Sequence, residues 1–271
     1  MPLTTFQREI STLLAVNRTQ DSYLAGGAAL HISPNSQRFS NDLDYFHDST
    51  ERVASAFELD RTILIAHDFS LTIEMNQRGF IRAVVSKGHA ATKVEWAHDS
   101  AWRFMPPIEN PDVGVQLHPI DLAVNKMLAL AGRDEPRDFL DIIYIHNNIL
   151  QVGALVWAAV GKDPGFTPES LLELIRRRGR YRPEDFNRLH LTQPIDLSAT
   201  KTLWLEAIEQ CDSFIKSRPA GESGCLYYSR EKASFVMPSL GEDVLPHYGR
   251  PGGIIPSFPS GLALDELAVE Q

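Results

Sequence analysis

The sequence predicts an α+β fold, and three observations predict it. Strand-type alternation is confined to the first 118 residues, helical periodicity takes over at Pro119, and a Pro- and Gly-rich stretch follows Ser217. These shifts divide the 271 residues into a core over 1–118, a helical domain over 119–218 and an extended tail over 219–271. A composition of 43% hydrophobic and 23% charged residues suits a globular protein with a substantial core. No run approaches the roughly 18 apolar residues that span a bilayer, and MPLTTFQREI lacks the layout of a signal peptide. A cytoplasmic location with no membrane partner is therefore expected. Cys211 and Cys225 match no metal-ligand spacing and read as inert thiols. The net charge of −9 excludes a chain coated with positive charge for general nucleic-acid binding, though not a local basic patch.

In chain order, Phe6, Ile10, Leu13 and Leu14 stand at helical spacing behind Thr4 or Thr5 as cap. YLAGGAALHI is small and apolar around Gly26 and Gly27, which suits a tight turn packed against another element. In NDLDYF, Leu43 and Tyr45 alternate with Asp42 and Asp44, so a strand there points both aspartates to one face. A helix interrupted near Asp60 follows Ser49 and Thr50. FSLTIEM, GFIRAVVS and ATKVEWA then read as an antiparallel meander. Helices are expected near 119–132, 136–147, 149–160, 167–178 and 198–217, with Thr167 before Pro168 as one cap and Asp196 or Ser198 as another.

Chemistry enters with Asp42 and Asp44. Period-two spacing sets their carboxylates side by side, and a divalent cation relieves the repulsion. Hard Mg²⁺ suits carboxylate and phosphate oxygens; a solvated pair at a strand end is the plainer reading. Glu95, mid-strand between Val94 and Trp96, is either a third acidic ligand or a surface residue paired with Lys93. Gly26 and Gly27 either present backbone N–H groups to phosphate or serve close helix packing. Lys126 is either a point charge for a triphosphate or a solvated helical lysine. Asp138 and Asp141 share a helix face, either as a base with an orienting partner for Lys126 or Arg137 or as an intrahelical ion network.

Taken in order, YLAGGAALHI, then Arg38-x-Ser40-x-Asp42-x-Asp44, then Glu95, then DLAVNKMLAL and RDEPRDFLDI resemble the AbiEii/AbiGii nucleotidyltransferase toxins of the DNA polymerase β-like superfamily over about residues 20–150. The resemblance implies a small mixed β-sheet with flanking helices, and a helical domain completing a nucleotide cleft. It implies Mg²⁺, with Mn²⁺ as the substitute, on Asp42, Asp44 and Glu95, the last standing where many relatives carry Asp. It places Lys126 on the triphosphate and Asp138 as the acidic residue of the later motif. Gly26, Gly27, Arg38 and Ser40 complete the implied nucleotide site, Gly27 replacing a serine common in the wider superfamily. The implied activity is transfer of a nucleoside monophosphate from a nucleoside triphosphate to an acceptor hydroxyl, in some members on tRNA, by a toxin with a cognate antitoxin.

RRRGRYR, from Arg176 to Arg182, is the clearest basic cluster. It suits the phosphates of an RNA acceptor, but a helix C-terminus explains such charge at no functional cost, and that reading is preferred. Two alternatives stand beside the enzyme: a non-catalytic nucleotide-binding module and an antibiotic-type small-molecule nucleotidyltransferase.

Overall fold

A computed structural model describes residues 3–32, 36–239 and 241–257. Helix α1 (Thr5–Leu14) starts at Thr4, whose hydroxyl accepts from the Gln7 N–H while the Gln7 side chain accepts from the Thr4 N–H. Strand β1 (Ser22–Ala25) runs into the short helix α2 (Gly26–Leu30), β2 (Asp42–His47) follows, and α3 spans Thr50–Ala66. The meander is β3 (Ser70–Gln77), β4 (Phe80–Lys87) and β5 (Ala90–His98). Three short strands lead to the helices: β6 (Trp102–Arg103), β7 (Ile108–Asn110) and β8 (Gly114–Gln116). Seven of these strands form one mixed sheet in the order β3-β4-β5-β2-β1-β8-β7, with β2–β5 and β1–β8 parallel.

The sheet's two faces have different tasks. Leu43, Tyr45, Val94 and Trp96 point to the face covered by α1 and α3, where Trp96 meets Phe57 edge-on. Asp42, Asp44 and Glu95 alternate to the opposite face, as period two requires. The expected break near Asp60 does not occur, and α3 is continuous. Asp60 points inward and is satisfied by two bonds from Arg18, one from Asn17 and one from the Trp96 indole. A fully bonded buried carboxylate does not disturb the helix that carries it.

Helices α4 (Pro119–Gly132), α5 (Pro136–Asn148), α6 (Val152–Lys162), α7 (Pro168–Arg176) and α8 (Leu197–Ser217) fall where periodicity places them. Thr167 caps α7 and Asp196 caps α8 through the Ala199 N–H at 2.9 Å. Within the described residues no single helix is long and apolar enough to cross a membrane.

The stretch after Ser217 differs from the extended tail expected. Strands β9 (Leu226–Ser229), β10 (Ser234–Val236) and β11 (Val244–His247) form a small antiparallel sheet, and β12 (Arg250–Pro251) pairs with β6. The His247 Nε2 lies 2.9 Å from the Phe104 carbonyl, and the Trp157 indole donates to the Glu222 carbonyl at 2.9 Å, so this segment joins the helices to the β6 region. Residues 258–271 of the expected tail lie outside the described residues.

The basic cluster is held mostly by the protein itself. Arg178 donates to the Leu130 and Ala131 carbonyls at 2.9 and 2.7 Å, capping α4 rather than its own helix. Arg176 pairs with Asp212 and Glu173, Arg177 pairs with Glu173, and buried Tyr181 donates to Asp134 at 2.6 Å.

Candidate active site

Strand β2 lies between β1 and β5, with Ala25 opposite Asp44 and Asp44 opposite Glu95; Arg82 on β4 completes the row. This register draws one ligand oxygen from each of Asp42, Asp44 and Glu95 to within 4.8 Å of one another. All three residues are half-buried. Burial first, then the charges of Asp42 and Glu95, push the Asp44 carboxyl up to about 7. The Ser40 hydroxyl donates to Asp42 at 3.0 Å. An oxygen-only donor set under mutual repulsion fits a hard divalent cation such as Mg²⁺.

Glu95 does not pair with Lys93, the partner its position on the strand suggests. Its Oε1 accepts from the Arg82 Nε at 2.8 Å across the antiparallel β4–β5 pair. No local pattern in the sequence marks Arg82, because only the register between two strands identifies it.

The triad opens into a cavity of about 310 Å³ whose far wall is α4. Lys126 lines that wall, and its ammonium is held 2.8 Å from Asp141 and 3.2 Å from Asp138. It is a restrained, nearly buried cation rather than a solvated one. Asp138 does not face the cavity. Its side chain is fully buried and also binds Arg133 at 2.6 Å. Burial alone would raise the Asp138 carboxyl, but Lys126 and Arg133 outweigh it and hold it below the usual carboxylate range. Asp138, for which the resemblance implies a catalytic part, contacts Lys126 and Arg133 and does not line the cavity.

Asp141 is the centre of the buried network. It accepts from Arg38 at 2.7 and 2.8 Å, and it contacts His31 Nε2 at 2.7 Å in addition to Lys126. The Ser36 hydroxyl lies 2.6 Å from the other ring nitrogen of His31. Arg38 is thus anchored with its guanidinium at the cavity edge. Arg137, on the same helix as Asp138, reaches Asp42 at 3.5 Å, and its buried Nε has no hydrogen-bond partner among the described residues. An orphaned guanidinium N–H at a cavity edge fits an anion.

The glycine pair is explained by close approach. Gly26 has φ of +62°, and a Cβ there would fall 1.8 Å from the Asp44 Oδ2. A Cβ on Gly27 would sit 2.9 Å from the Ser40 Oγ and 3.0 Å from the Arg38 Nη2. The close-packing reading accounts for the pair, since the absence of side chains lets the backbone approach the Asp44 carboxylate, Ser40 and Arg38. Gly26→Ala is expected to displace the Asp44 carboxylate and weaken Mg²⁺ binding at least about tenfold by calorimetry, on the scale of disturbing a metal site's orienting contacts. Unaltered affinity would remove Gly26 from the site.

Comparisons with known proteins bear on the family and the fold. The model of the family described as nucleotidyl transferase AbiEii toxin, type IV toxin–antitoxin system, matches residues 11–222. MenT4, a nucleotidyltransferase toxin from Mycobacterium tuberculosis H37Rv, superposes with a TM-score of 0.51 at 17% identity, over 80% of this chain and 83% of that one. Two Helicobacter pylori structures, one described as a nucleotidyltransferase and the other as JHP933, give TM-scores of 0.46 and 0.44 at 17% and 15% identity. Each spans 78% of this chain, and 94% and 91% of its own. No curated protein sequence matches the chain. At 17% identity MenT4 speaks for the fold alone, a mixed sheet with flanking helices, and the family match speaks for nucleotidyl transfer.

Proposed function

The chain belongs to the AbiEii family of nucleotidyltransferase toxins, and from that premise we propose that it moves a nucleoside monophosphate from a nucleoside triphosphate to a hydroxyl of an RNA acceptor, tRNA being the first to test. Its biological setting in this reading is a toxin with a cognate antitoxin. The observation that carries the proposal is the carboxylate triad facing Lys126, Arg38 and Arg137 across one cavity. An acidic row opposite a cationic wall suits a triphosphate bound with a divalent ion.

In this reading Asp42, Asp44 and Glu95 hold Mg²⁺, for which Mn²⁺ can substitute. When bound, the ion neutralises charge that develops on the phosphoryl oxygens and the leaving pyrophosphate. Lys126, fixed by Asp138 and Asp141, offers its charge to the triphosphate without reorganising during reaction. Arg137 meets the same anion with its unpartnered Nε. The acceptor oxygen forms a bond to the α-phosphorus as the bond from that phosphorus to the β-phosphate bridging oxygen breaks. Glu95, with Arg82 holding one of its oxygens, takes the acceptor's proton on the other.

The test is incubation of the purified protein with each α-labelled triphosphate, with and without total tRNA, in Mg²⁺ or in excess chelator. Label is expected in tRNA with Mg²⁺ and none with chelator. Label that persists in chelator overturns the metal assignment. Label only in another RNA, or in a small molecule, overturns the acceptor, and absence of label from every donor overturns the proposal.

A further inference from the structure

The sheet face that carries the triad does not end at the cavity. From the carboxylates it continues over β4 to the edge strand β3 in matched rows, Asp44, Glu95, Arg82 and Met75 in one and Asp42, Lys93, Val84 and Thr72 in the next. Helices α1 and α3 pack on the opposite face. On the triad's face Thr72 and Met75 are exposed, and Lys93, Arg82 and Val84 are half-buried, so an open ledge three strands wide adjoins the site. At the usual spacing of paired strands it reaches about 14 Å from Asp42 to Thr72.

Two cations stand on this ledge. Lys93 forms no ion pair or hydrogen bond among the described residues, although Asp42 lies beside it in register. Arg82 is already committed, its Nε to Glu95 and its guanidinium face to the Phe80 ring at 5.3 Å. The two cations are diagonal neighbours on paired strands, roughly 7–8 Å apart at the backbone. Glu74, exposed at the irregularity between Ile73 and Met75, is the one carboxylate on β3, and it stands two strands away from Lys93. Lys93 is thus the uncompensated charge beside the triad, and in a chain of net charge −9 it is positive.

The direction of reaction leads to the same surface. Arg38 and Lys126 share Asp141, and the Arg38 Nη2 lies beside Gly27, just after β1, so the cations that suit the pyrophosphate gather on the β1 side of the triad. In phosphoryl transfer the attacking and leaving oxygens lie roughly in line. A leaving group drawn toward β1 requires an acceptor that arrives from the β5–β3 side. We propose that the single-stranded end of the RNA acceptor lies on this ledge, with Lys93 on the phosphate next to its reacting hydroxyl. This assignment rests on the proposed nucleotidyl transfer and adds to it the surface that takes the acceptor. A flat, open ledge admits a strand, whereas a small cationic acceptor would meet Lys93 as a like charge.

The experiment separates RNA from donor on the full-length protein, using wild type, Lys93→Ala and Thr72→Glu. Binding of a short, fluorescently labelled single-stranded RNA is followed by anisotropy in Mg²⁺ over a range of salt, donor binding by calorimetry with a non-hydrolysable triphosphate, and turnover as KM and kcat for total tRNA. Lys93→Ala is expected to weaken RNA binding at least about tenfold, the factor for one charged hydrogen bond, and to lower the salt slope by about 0.7. Thr72→Glu, an exposed change at the far side of the ledge from the triad, is expected to weaken RNA as well, the loss falling on KM rather than kcat. Donor binding is expected to stay the same in both. Unchanged RNA binding and salt slope in the folded variants overturn the proposal, and Thr72→Glu decides it where Lys93→Ala fails to fold. Equal weakening of donor and RNA by Lys93→Ala also overturns it, since Lys93 would then serve the triphosphate. So does wild type that labels only a cationic small molecule. Wild type that binds RNA through Lys93 but labels nothing refutes the transfer reaction and supports the ledge as an RNA site.

Discussion

Asp44→Asn is expected to reduce nucleotide incorporation by at least about a thousandfold, on the scale of losing a group aimed at developing charge in a water-poor site. The same substitution is expected to make the metal-free protein more stable at neutral pH. In the folded protein burial and two neighbouring carboxylates push Asp44 up to about 7, above its ordinary value of 3.8. Proton binding to a group raised in this way contributes stability that is full below about pH 4 and lost as pH rises through 7. Asparagine carries no such penalty. Melting temperature in chelator should therefore be higher for the variant at pH 8, with the difference closing toward pH 4. Addition of Mg²⁺ should reverse the order by stabilising wild type more, since only the native wild-type site binds it well. Activity retained in Mg²⁺ by a folded variant, or a melting temperature in chelator that falls at pH 8, contradicts the assignment of Asp44.

How much of this was legible beforehand follows from where the information resides. The strand β2 and its carboxylate pair were legible because alternation of Leu43 and Tyr45 with Asp42 and Asp44 is a local pattern. The five helices were legible because caps and apolar periodicity coincide, as at Thr167 and Asp196. Arg82 was not, because its partnership with Glu95 depends on antiparallel register rather than on its neighbours in sequence. Nor was the burial of Asp60, since a helical aspartate looks the same whether it meets water or Arg18. Strands β7 to β12 are two to four residues long and sit among Pro and Gly, too short for a period of two to show. Asp138 illustrates the limit within a site: its place on a helix near Lys126 is a local pattern, while its direction, inward to Lys126 and Arg133, depends on the packing of α4 on α5.

The largest effect on stability is expected from Asp141→Asn, and its cause lies in two cations and a histidine that share one buried carboxylate. Arg38, Lys126 and His31 all contact Asp141, whose side chain has no exposed surface. Burial by itself would raise the Asp141 carboxyl, but Lys126 and Arg38, with the His31 bond, outweigh it and hold it well below the ordinary value. A depressed carboxyl contributes stability above its unfolded value near 3.8 and loses it as pH falls through the folded value. Neutralising it at pH 7 leaves Arg38 with no carboxylate partner and Lys126 with Asp138 alone. Removal of one member of such a buried network costs about 3–5 kcal/mol, more than exposed ion pairs such as Arg78 with Glu51 contribute. Denaturant unfolding at pH 7 should show a loss of that size, shrinking as pH is lowered below 4. Because Arg38 and Lys126 also line the cavity, activity at temperatures where the variant remains folded should fall as well. A variant of unchanged stability would mean that the cations find other partners, and a destabilised variant with full activity would separate the network from the nucleotide site.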